Sequence, residues 1–182
     1  MDHINLIKLI CAIWIFVYWK TYGASTFIWI SDATLLMLFI AVIYESHLIA
    51  SMTTLTIVPE ILLWCLPFWV RALFGIRTIA MLDYMFDPNR SISLRLWSLG
   101  FHTLLPISSF YIVSQYGYDA GAFICESIFI WILFIVARCF TDRADNVNLV
   151  FSSGSWIYRG IALNLIMWMT HKIWMKYYPA QY

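Results

Sequence analysis

Four polar side chains lie inside otherwise apolar stretches of this 182-residue chain, and their types could do chemistry. They are Asp32, Glu60, His102 and Asn164. An ionisable group in hydrocarbon costs at least ~2.5 kcal/mol on insertion scales, so such groups face protein or water and often carry function. Histidine titrates near neutral pH and passes a proton in either direction. His102 is therefore our candidate general base, and Asp32 or Glu60 could fix its tautomer.

These four residues fall at similar depth on four different predicted helices. At about 1.5 Å per residue, they lie roughly 8 to 15 Å from the same end of those helices. We therefore expect one shared polar centre, to which Thr103 beside His102 also belongs, with at least two members in direct or water-mediated contact. The alternative is that these side chains only join helices, since interhelical hydrogen bonds contribute ~0.6 kcal/mol on average in any polytopic protein.

Hydroxyl and thiol groups are too numerous in the apolar stretches to identify a nucleophile by themselves. The candidates in the predicted spans are Ser31, Thr34, Thr56, Ser98, Thr103 and Cys65, and none of them stands out. No G-x-S-x-G elbow, H-E-x-x-H motif, Walker loop or dinucleotide fingerprint occurs. The four cysteines stand singly and lack metal-ligand spacing, which is typical of packing residues. The sequence thus predicts no metal and no cofactor.

Prolines beside two of these polar residues should disturb their helices. Pro59 precedes Glu60, and together with Pro67 it should kink or break the third predicted span, because proline lacks a backbone N–H. Such a break often lines a cavity in a membrane protein, although proline is also common in plain spans. Pro106 lies four residues after His102, so it removes the hydrogen bond to the His102 carbonyl and should open that helix beside the histidine.

The composition places these residues in a membrane protein. Hydrophobic residues make up 63% of the chain and charged residues 12%, whereas a soluble domain has about 45 to 50% and about 25%. Lipid cannot hydrogen-bond the backbone, so each span must be a helix or part of a closed barrel, and no strand-like alternation is sustained. We predict an all-α polytopic bundle of about six transmembrane helices, with one domain over residues 1–182. The predicted spans are Ile4–Trp19, Phe27–Tyr44, Leu48–Val70, Ser93–Ser114, Ala120–Arg138 and Trp156–Met175.

The segment Arg71–Ile92 is too short to cross a bilayer, and its composition favours an interfacial helix between the third and fourth spans. Eight basic residues lie in or beside the odd-numbered loops and two on the opposite face, with Lys8 ambiguous. Cytoplasmic loops are enriched in Lys and Arg, so both termini should be extracytoplasmic. The net charge of +1 is too balanced for a nucleic-acid-binding face. Membrane lipids are the expected partners, and an oligomer or a larger membrane complex stays open.

Several short motifs resemble a family of small uncharacterised bacterial integral membrane proteins. The motifs are Trp29–Asp32, Tyr84–Pro88, Phe101–Pro106, Gly117–Asp119, Thr141–Asp142 and Asn146–Asn148. They are spread over most of the chain. The resemblance implies a bacterial inner membrane and no particular activity.

A more distant resemblance is to the androgen-induced and androgen-dependent tissue-factor-pathway-regulating membrane proteins. These are six-span intramembrane hydrolases of fatty acid esters of hydroxy fatty acids, in which a histidine in an H-T-x-x-L-P-like segment works with a threonine ahead of an aspartate. His102, followed by Thr103, matches that histidine, and Asp32 matches the aspartate. Trp29 stands where that family would place its threonine, with Ser31 close by.

These observations predict an intramembrane hydrolase or acyl-transfer enzyme that acts on lipid esters. His102 would be the general base, Ser31 the nucleophile and Asp32 the orienting residue. Two other classes stay open. A carrier or small-molecule binding protein would use the disturbed third span and the same polar centre as a solute site, although the chain lacks an internal repeat. A structural subunit of a membrane complex would use the many outward aromatic residues as contacts.

Overall fold

The structure is a computed structural model that describes residues 3–79, 82–143, 146–151 and 156–178. Within these ranges the chain forms helices and turns and no strand, in agreement with the all-α prediction. The helices are α1 (His3–Tyr22), α2 (Ile30–Tyr44), α3 (His47–Glu60), α4 (Leu66–Phe74), α5 (Asp83–Phe86), α6 (Ile92–Tyr116), α7 (Ala122–Phe140) and α8 (Trp156–Tyr177). Two 3₁₀ turns, Ala24–Ile28 and Val147–Leu149, and a π-helical segment, Ile61–Cys65, complete the secondary structure of these ranges.

Hydrogen bonds between loops that are distant in the chain identify the two ends of the bundle. The long helices run alternately from one end to the other, so consecutive long helices are antiparallel. At one end, Asn148 is hydrogen-bonded to the backbone of Ile28 and Ile30. At the opposite end, the Asp119 amide donates to Ser51 Oγ at 2.8 Å. We call the first end the arginine-rich end, because its loops and flanking turns carry Lys20, Arg71, Arg77, Arg90, Arg138 and Arg159.

Helix α3 is the central helix and packs against α2, α6, α7 and α8. Its buried hydroxyls bond back to its own carbonyls: Ser51 donates to His47, and Thr53 donates to Ala50. Thr54 donates to Ser51 in the same way, at 2.8 Å. Such bonds satisfy a hydroxyl without a partner helix, and small side chains let neighbouring helices approach closely. The polar residues in the first turns of α3 are therefore explained by packing.

Four helical stretches of the described chain are long and apolar enough to cross a membrane: α1, His47–Phe74, α6 and α7. They coincide with four of the six predicted spans. Helix α2 is apolar but has only 15 residues, because the start of that predicted span forms a 3₁₀ turn instead. Helix α8 has 22 residues, and Arg159, His171, Lys172 and Lys176 make it more polar. The count of six spans therefore stays a prediction.

The predicted interfacial helix between the third and fourth spans is only one turn long in the structure, as α5. Helix α4 is closed by Gly75, whose φ of 68° is a left-handed conformation that glycine adopts readily. The chain is then non-helical, and residues 80 and 81 of the predicted helix lie outside the described residues. Leu82 and Met85 are buried in a cluster with Trp64. Burial of these side chains fixes the segment to the bundle.

Asp83 fastens this segment to the end of α4. Its carboxylate accepts hydrogen bonds from Arg77 Nε at 3.2 Å and from Arg71 Nη1 at 2.5 Å. The hydrogen bonds from Arg77 and then Arg71 hold the pKa of Asp83 below its ordinary value. The Arg71 guanidinium also lies over the Phe86 ring, 4.3 Å from its centroid. The ion pairs are partly exposed, so they fix the position of α5 more than they stabilise the whole fold.

Candidate functional site

Glu60 and His102 form the centre of the candidate site. His102 Nδ1 and Glu60 Oε1 lie 2.5 Å apart, although the residues are 42 positions apart in the chain. Their side chains are 9% and 12% exposed, so the pair is nearly enclosed. A neutral imidazole with its proton on Nδ1 donates to the carboxylate and keeps Nε2 as an acceptor. The predicted contact within the polar centre is confirmed for this pair.

The backbone that follows Glu60 is π-helical, and its wide turn brings a second side chain to the histidine. The disturbance predicted from Pro59 and Pro67 takes this form, and the helical path continues from α3 into α4. Trp64 of the π-helical segment lies flat against His102, with ring centroids 3.9 Å apart and an interplanar angle of 22°. π turns are rare and are frequent at functional sites. The imidazole is therefore held at one edge by a carboxylate and on one face by an indole.

The main chain of His102 is held by the same segment. Pro106 lacks an N–H, so the His102 carbonyl has no donor from the next helical turn. The Cys65 thiol supplies one, with Sγ donating to the His102 carbonyl at 3.1 Å. Helix α6 is continuous from Ile92 to Tyr116, so the predicted opening beside the histidine is absent. The reason is that a side chain of the neighbouring helix fills the hydrogen-bonding gap.

Asp32 lies near this pair and holds a hydroxyl that sequence reasoning missed. Thr26 Oγ1 donates to Asp32 Oδ2 at 2.6 Å, and both residues are buried. Asp32 also lies close enough to Glu60 and His102 to interact with both electrostatically. Glu60 and His102 are thus in direct contact, whereas the direct partner of Asp32 is a hydroxyl of the 3₁₀ turn before α2.

Ser31 is not the hydroxyl that Asp32 contacts. Its side chain is half-buried and forms no hydrogen bond to another described residue. Consecutive residues of a helix point about 100° apart, so Ser31 and Asp32 cannot face the same partner. The 3₁₀ turn instead folds Thr26 back over the first turn of α2. The geometry therefore favours Thr26 over Ser31 as a reacting hydroxyl.

Asn164 and Thr103 do not join the polar centre through hydrogen bonds. Asn164 Nδ2 donates to the Gly160 carbonyl of its own helix at 2.8 Å. The Thr103 side chain is half-buried and forms no hydrogen bond to another described residue. Helix α8 packs on α3 and α7 and has less contact with α6, which carries His102. Among the four predicted residues, hydrogen bonding therefore joins only Glu60 on α3 and His102 on α6.

Tyrosines extend the polar centre towards the arginine-rich end. The Tyr84 hydroxyl on α5 is 2.8 Å from Ser98 Oγ on α6. The Tyr18 hydroxyl on α1 interacts electrostatically with Asp32 and Glu60. Sequence reasoning missed these residues because aromatic side chains in an apolar chain are ordinarily assigned to the membrane interface. Of the two hydroxyls, that of Tyr84 has a direct partner, which is Ser98.

Glu126 forms a second buried polar contact, separate from the site. Its side chain is completely buried on α7 and accepts a hydrogen bond from the Thr56 hydroxyl on α3. This contact joins α3 to α7. No other hydrogen-bond partner for its second oxygen occurs among the described residues.

The site can hold and transfer a proton, and it has an apolar neighbour. A small pocket between α1, α2 and α6 is lined by Trp14, Leu38, Phe101 and Leu105, without His102. Within the described ranges, no cluster of three or more His, Cys, Asp or Glu residues could hold a metal ion. The site therefore contains a carboxylate–histidine pair and a carboxylate–hydroxyl pair, with a small apolar pocket beside them.

Comparisons with known proteins assign no family to the chain. No protein-family model matches it. No curated protein and no solved structure matches it significantly. The function must therefore be argued from the site itself.

Proposed function

We propose that this protein is an intramembrane hydrolase or acyl-transfer enzyme that acts on lipid esters. The observation that supports it best is the Glu60–His102 pair, in which a carboxylate holds Nδ1 while no hydrogen bond from a described residue occupies Nε2. An imidazole held in this way is suited to accept a proton as a general base and return it as a general acid. Glu60 thus takes the orienting role that the sequence suggested for Asp32.

Thr26 is the nucleophile in this proposal. Its oxygen forms a bond to the ester carbonyl carbon while its proton passes to Nε2 of His102. The bond between that carbon and the alcohol oxygen then breaks, and the alcohol leaves with the proton from His102. Water, or a second alcohol in acyl transfer, attacks the acyl-threonine in the same way and restores the hydroxyl. Asp32 orients the hydroxyl before attack, and Glu60 stabilises the imidazolium that forms.

The proposal includes a membrane setting. Helices α2 and α8 would join the four longer apolar stretches to make six spans in a bacterial inner membrane, with the arginine-rich end in the cytoplasm and membrane lipids as substrates. Asn89 lies in an exposed turn at that end, and Cys139 is an exposed native thiol. An Asn89→Cys variant that also carries Cys139→Ser should react with an impermeant maleimide only after the cells are permeabilised. Labelling of this variant in intact cells would show that the arginine-rich end lies outside the cytoplasm.

The enzyme proposal is tested by hydrolysis of a panel of lipid esters with the purified protein in detergent. His102→Ala and Thr26→Ala should each lower kcat by roughly 10²-fold or more, the scale of losing a general base or its partner. Thr26→Ser keeps the hydroxyl and should retain activity. His47→Ala is the matched control, because His47 is exposed at the opposite end of the bundle. Equal kcat in wild type and His102→Ala would remove the mechanism.

A carrier is the second candidate, and the π-helical segment beside buried carboxylates favours it. Irregular backbone within a span is tolerated where it lines a cavity, and transporters place solute sites at such points. Asp32, Glu60 and His102 would then bind a solute or a proton without a covalent step. Uptake into proteoliposomes that requires Glu60 and survives Thr26→Ala would select the carrier over the enzyme.

A further inference from the structure

Asn148 makes contacts that the proposed reaction does not use. It lies in the loop after α7, yet its side chain is bonded to the start of α2, 118 residues away. Oδ1 accepts a hydrogen bond from the Ile30 N–H at 2.9 Å, and Nδ2 donates to the Ile28 carbonyl at 2.8 Å. These two bonds bracket Trp29, the residue that joins the 3₁₀ turn to α2.

The bracketed junction sets where Thr26 lies relative to Asp32. Thr26 is on the 3₁₀ turn and Asp32 is in the first turn of α2. Between them, Trp29 has an extended backbone, with φ −65° and ψ 137°. Its N–H ends the 3₁₀ turn by donating to the Thr26 carbonyl, and its carbonyl begins α2 by accepting from the Ala33 N–H. The 2.6 Å hydrogen bond between Thr26 and Asp32 therefore depends on the angle at Trp29. The amide of Asn148 is bonded to the residues on both sides of that angle, from another part of the chain.

The loop that carries the Asn148 amide has an unusual, left-handed backbone. Asn148 has φ 52° and ψ 21°, and Asn146 and Leu149 also have positive φ. Asparagine tolerates this left-handed region better than most residues, whereas leucine is strained there. The loop is held by a bond from the Phe151 N–H to Asn146 Oδ1 at 2.8 Å and by Arg159, which donates to the Leu149 carbonyl. Strain of this kind persists only where surrounding contacts enforce it, and it clusters at functional sites.

We infer that Asn148 is a positioning residue, which fixes the junction at Trp29 and thereby the Thr26–Asp32 pair. A side-chain amide suits this task because it offers one acceptor and one donor, which match one backbone N–H and one backbone carbonyl. The effect of Asn148 on catalysis rests on the proposed function. The mechanical coupling of Asn148 to the Thr26–Asp32 pair does not rest on the proposed function. The coupling and the catalytic effect can therefore be tested separately.

A double-mutant cycle on thermal unfolding tests the coupling without any substrate. Asn148→Gly removes the amide and keeps the left-handed backbone accessible. If the amide acts on the pair, the loss of Tm in Asn148→Gly with Thr26→Ala should be smaller than the sum of the single losses, by about 2 °C or more. The matched cycle combines Asn148→Gly with Ser51→Ala at the opposite end of the bundle, where the losses should add. Additive losses in both cycles would overturn the inference.

The second measurement uses an ester that the wild type hydrolyses. Asn148→Gly should lower kcat by about 10-fold or more with KM nearly unchanged, because a misplaced hydroxyl slows attack more than it weakens binding. Asn148→Asp keeps the acceptor for Ile30 and loses the donor, so its kcat should lie between those of wild type and Asn148→Gly. Normal kcat in Asn148→Gly would overturn the inference while leaving the proposed function standing. If no ester is hydrolysed, the proposed function fails and the unfolding cycle alone decides the inference.

Discussion

Glu60→Gln would remove one charge from the candidate site while it keeps the size of the side chain and an oxygen that accepts hydrogen bonds. In the wild type, Oε1 lies 2.5 Å from His102 Nδ1. Glutamine can still accept from that N–H. The attraction between a carboxylate and the imidazolium that the proposed general-base catalysis would create would be lost. The variant thus separates the resting hydrogen bond from the charge stabilisation during reaction.

The two effects differ in size. Unit charges about 4 Å apart attract by about 4 kcal/mol at an effective dielectric constant of 20. Each 1.36 kcal/mol is a factor of ten in rate, so losing the whole attraction would lower kcat by about 10³-fold. The side chains of Glu60 and His102 keep 9% and 12% of their exposure, and partial solvation reduces the expected loss to about 10²-fold. In the resting state, Glu60→Gln replaces a charge-assisted hydrogen bond with a neutral one, which should lower the free energy of unfolding by about 1 kcal/mol, or Tm by about 3 °C.

The assay combines ester hydrolysis with thermal unfolding followed by tryptophan fluorescence. Trp64 contributes to that signal and stacks on His102, so the melt also reports on the site. Glu126→Gln is the matched control, because it makes the same exchange at a buried carboxyl that is bonded to Thr56. Its kcat should equal that of the wild type. Wild-type kcat in Glu60→Gln, or an equal loss in Glu126→Gln, would refute the reasoning.

Two further predictions concern the frame around the site. Hydrogen bonds from Arg77 and Arg71 hold the pKa of Asp83 below its ordinary value of 3.8. The ion pairs of Asp83 therefore contribute to stability above that pH, and the contribution is lost as the pH falls through the lower pKa of the folded protein. The rate of limited proteolysis of the α5 segment should be constant from about pH 8 to 5 and should rise below about pH 4. Gly160→Ala should lower Tm by several degrees, because a Cβ there would lie 2.5 Å from Trp131 Cη2 and overpacking costs about 1 to 3 kcal/mol. In the control, Gly100→Ala, the added Cβ would lie 3.5 Å from its nearest neighbour, Trp14 Cζ2. This variant should have the Tm of the wild type.

The sequence predicts the helices and the central contact of the site because both follow from local physical costs. Apolar length predicts a span, and a carboxylate and a histidine at similar depth must find polar partners inside the bundle. Glu60 and His102 meet for this reason. Pro59 and Pro106 likewise predict where helices lose backbone donors, although the sequence does not indicate the π turn or the thiol that compensates.

The remaining site residues depend on contacts that no local pattern specifies. Thr26 lies immediately before the second predicted span, in a short 3₁₀ turn, and its contact with Asp32 requires the chain to fold back. Asn148 is 118 residues from the amide that it contacts. The Asn146–Asn148 motif is visible in the sequence, and its left-handed backbone is the physical reason for two asparagines there. Only the folded loop relates that motif to the site.

The π-helical segment also makes the spacing of its residues important. An α-helix turns by about 100° per residue, so residues 60 and 65 would point about 140° apart. A π turn advances by roughly 80° per residue, which brings Cys65 to within about 40° of Glu60. Both side chains touch His102, one at the imidazole and one at the carbonyl. Leu62 and Leu63 point outwards and are 45% and 53% exposed, so these two positions should accept many apolar substitutions, whereas the segment should not accept the deletion of a single residue.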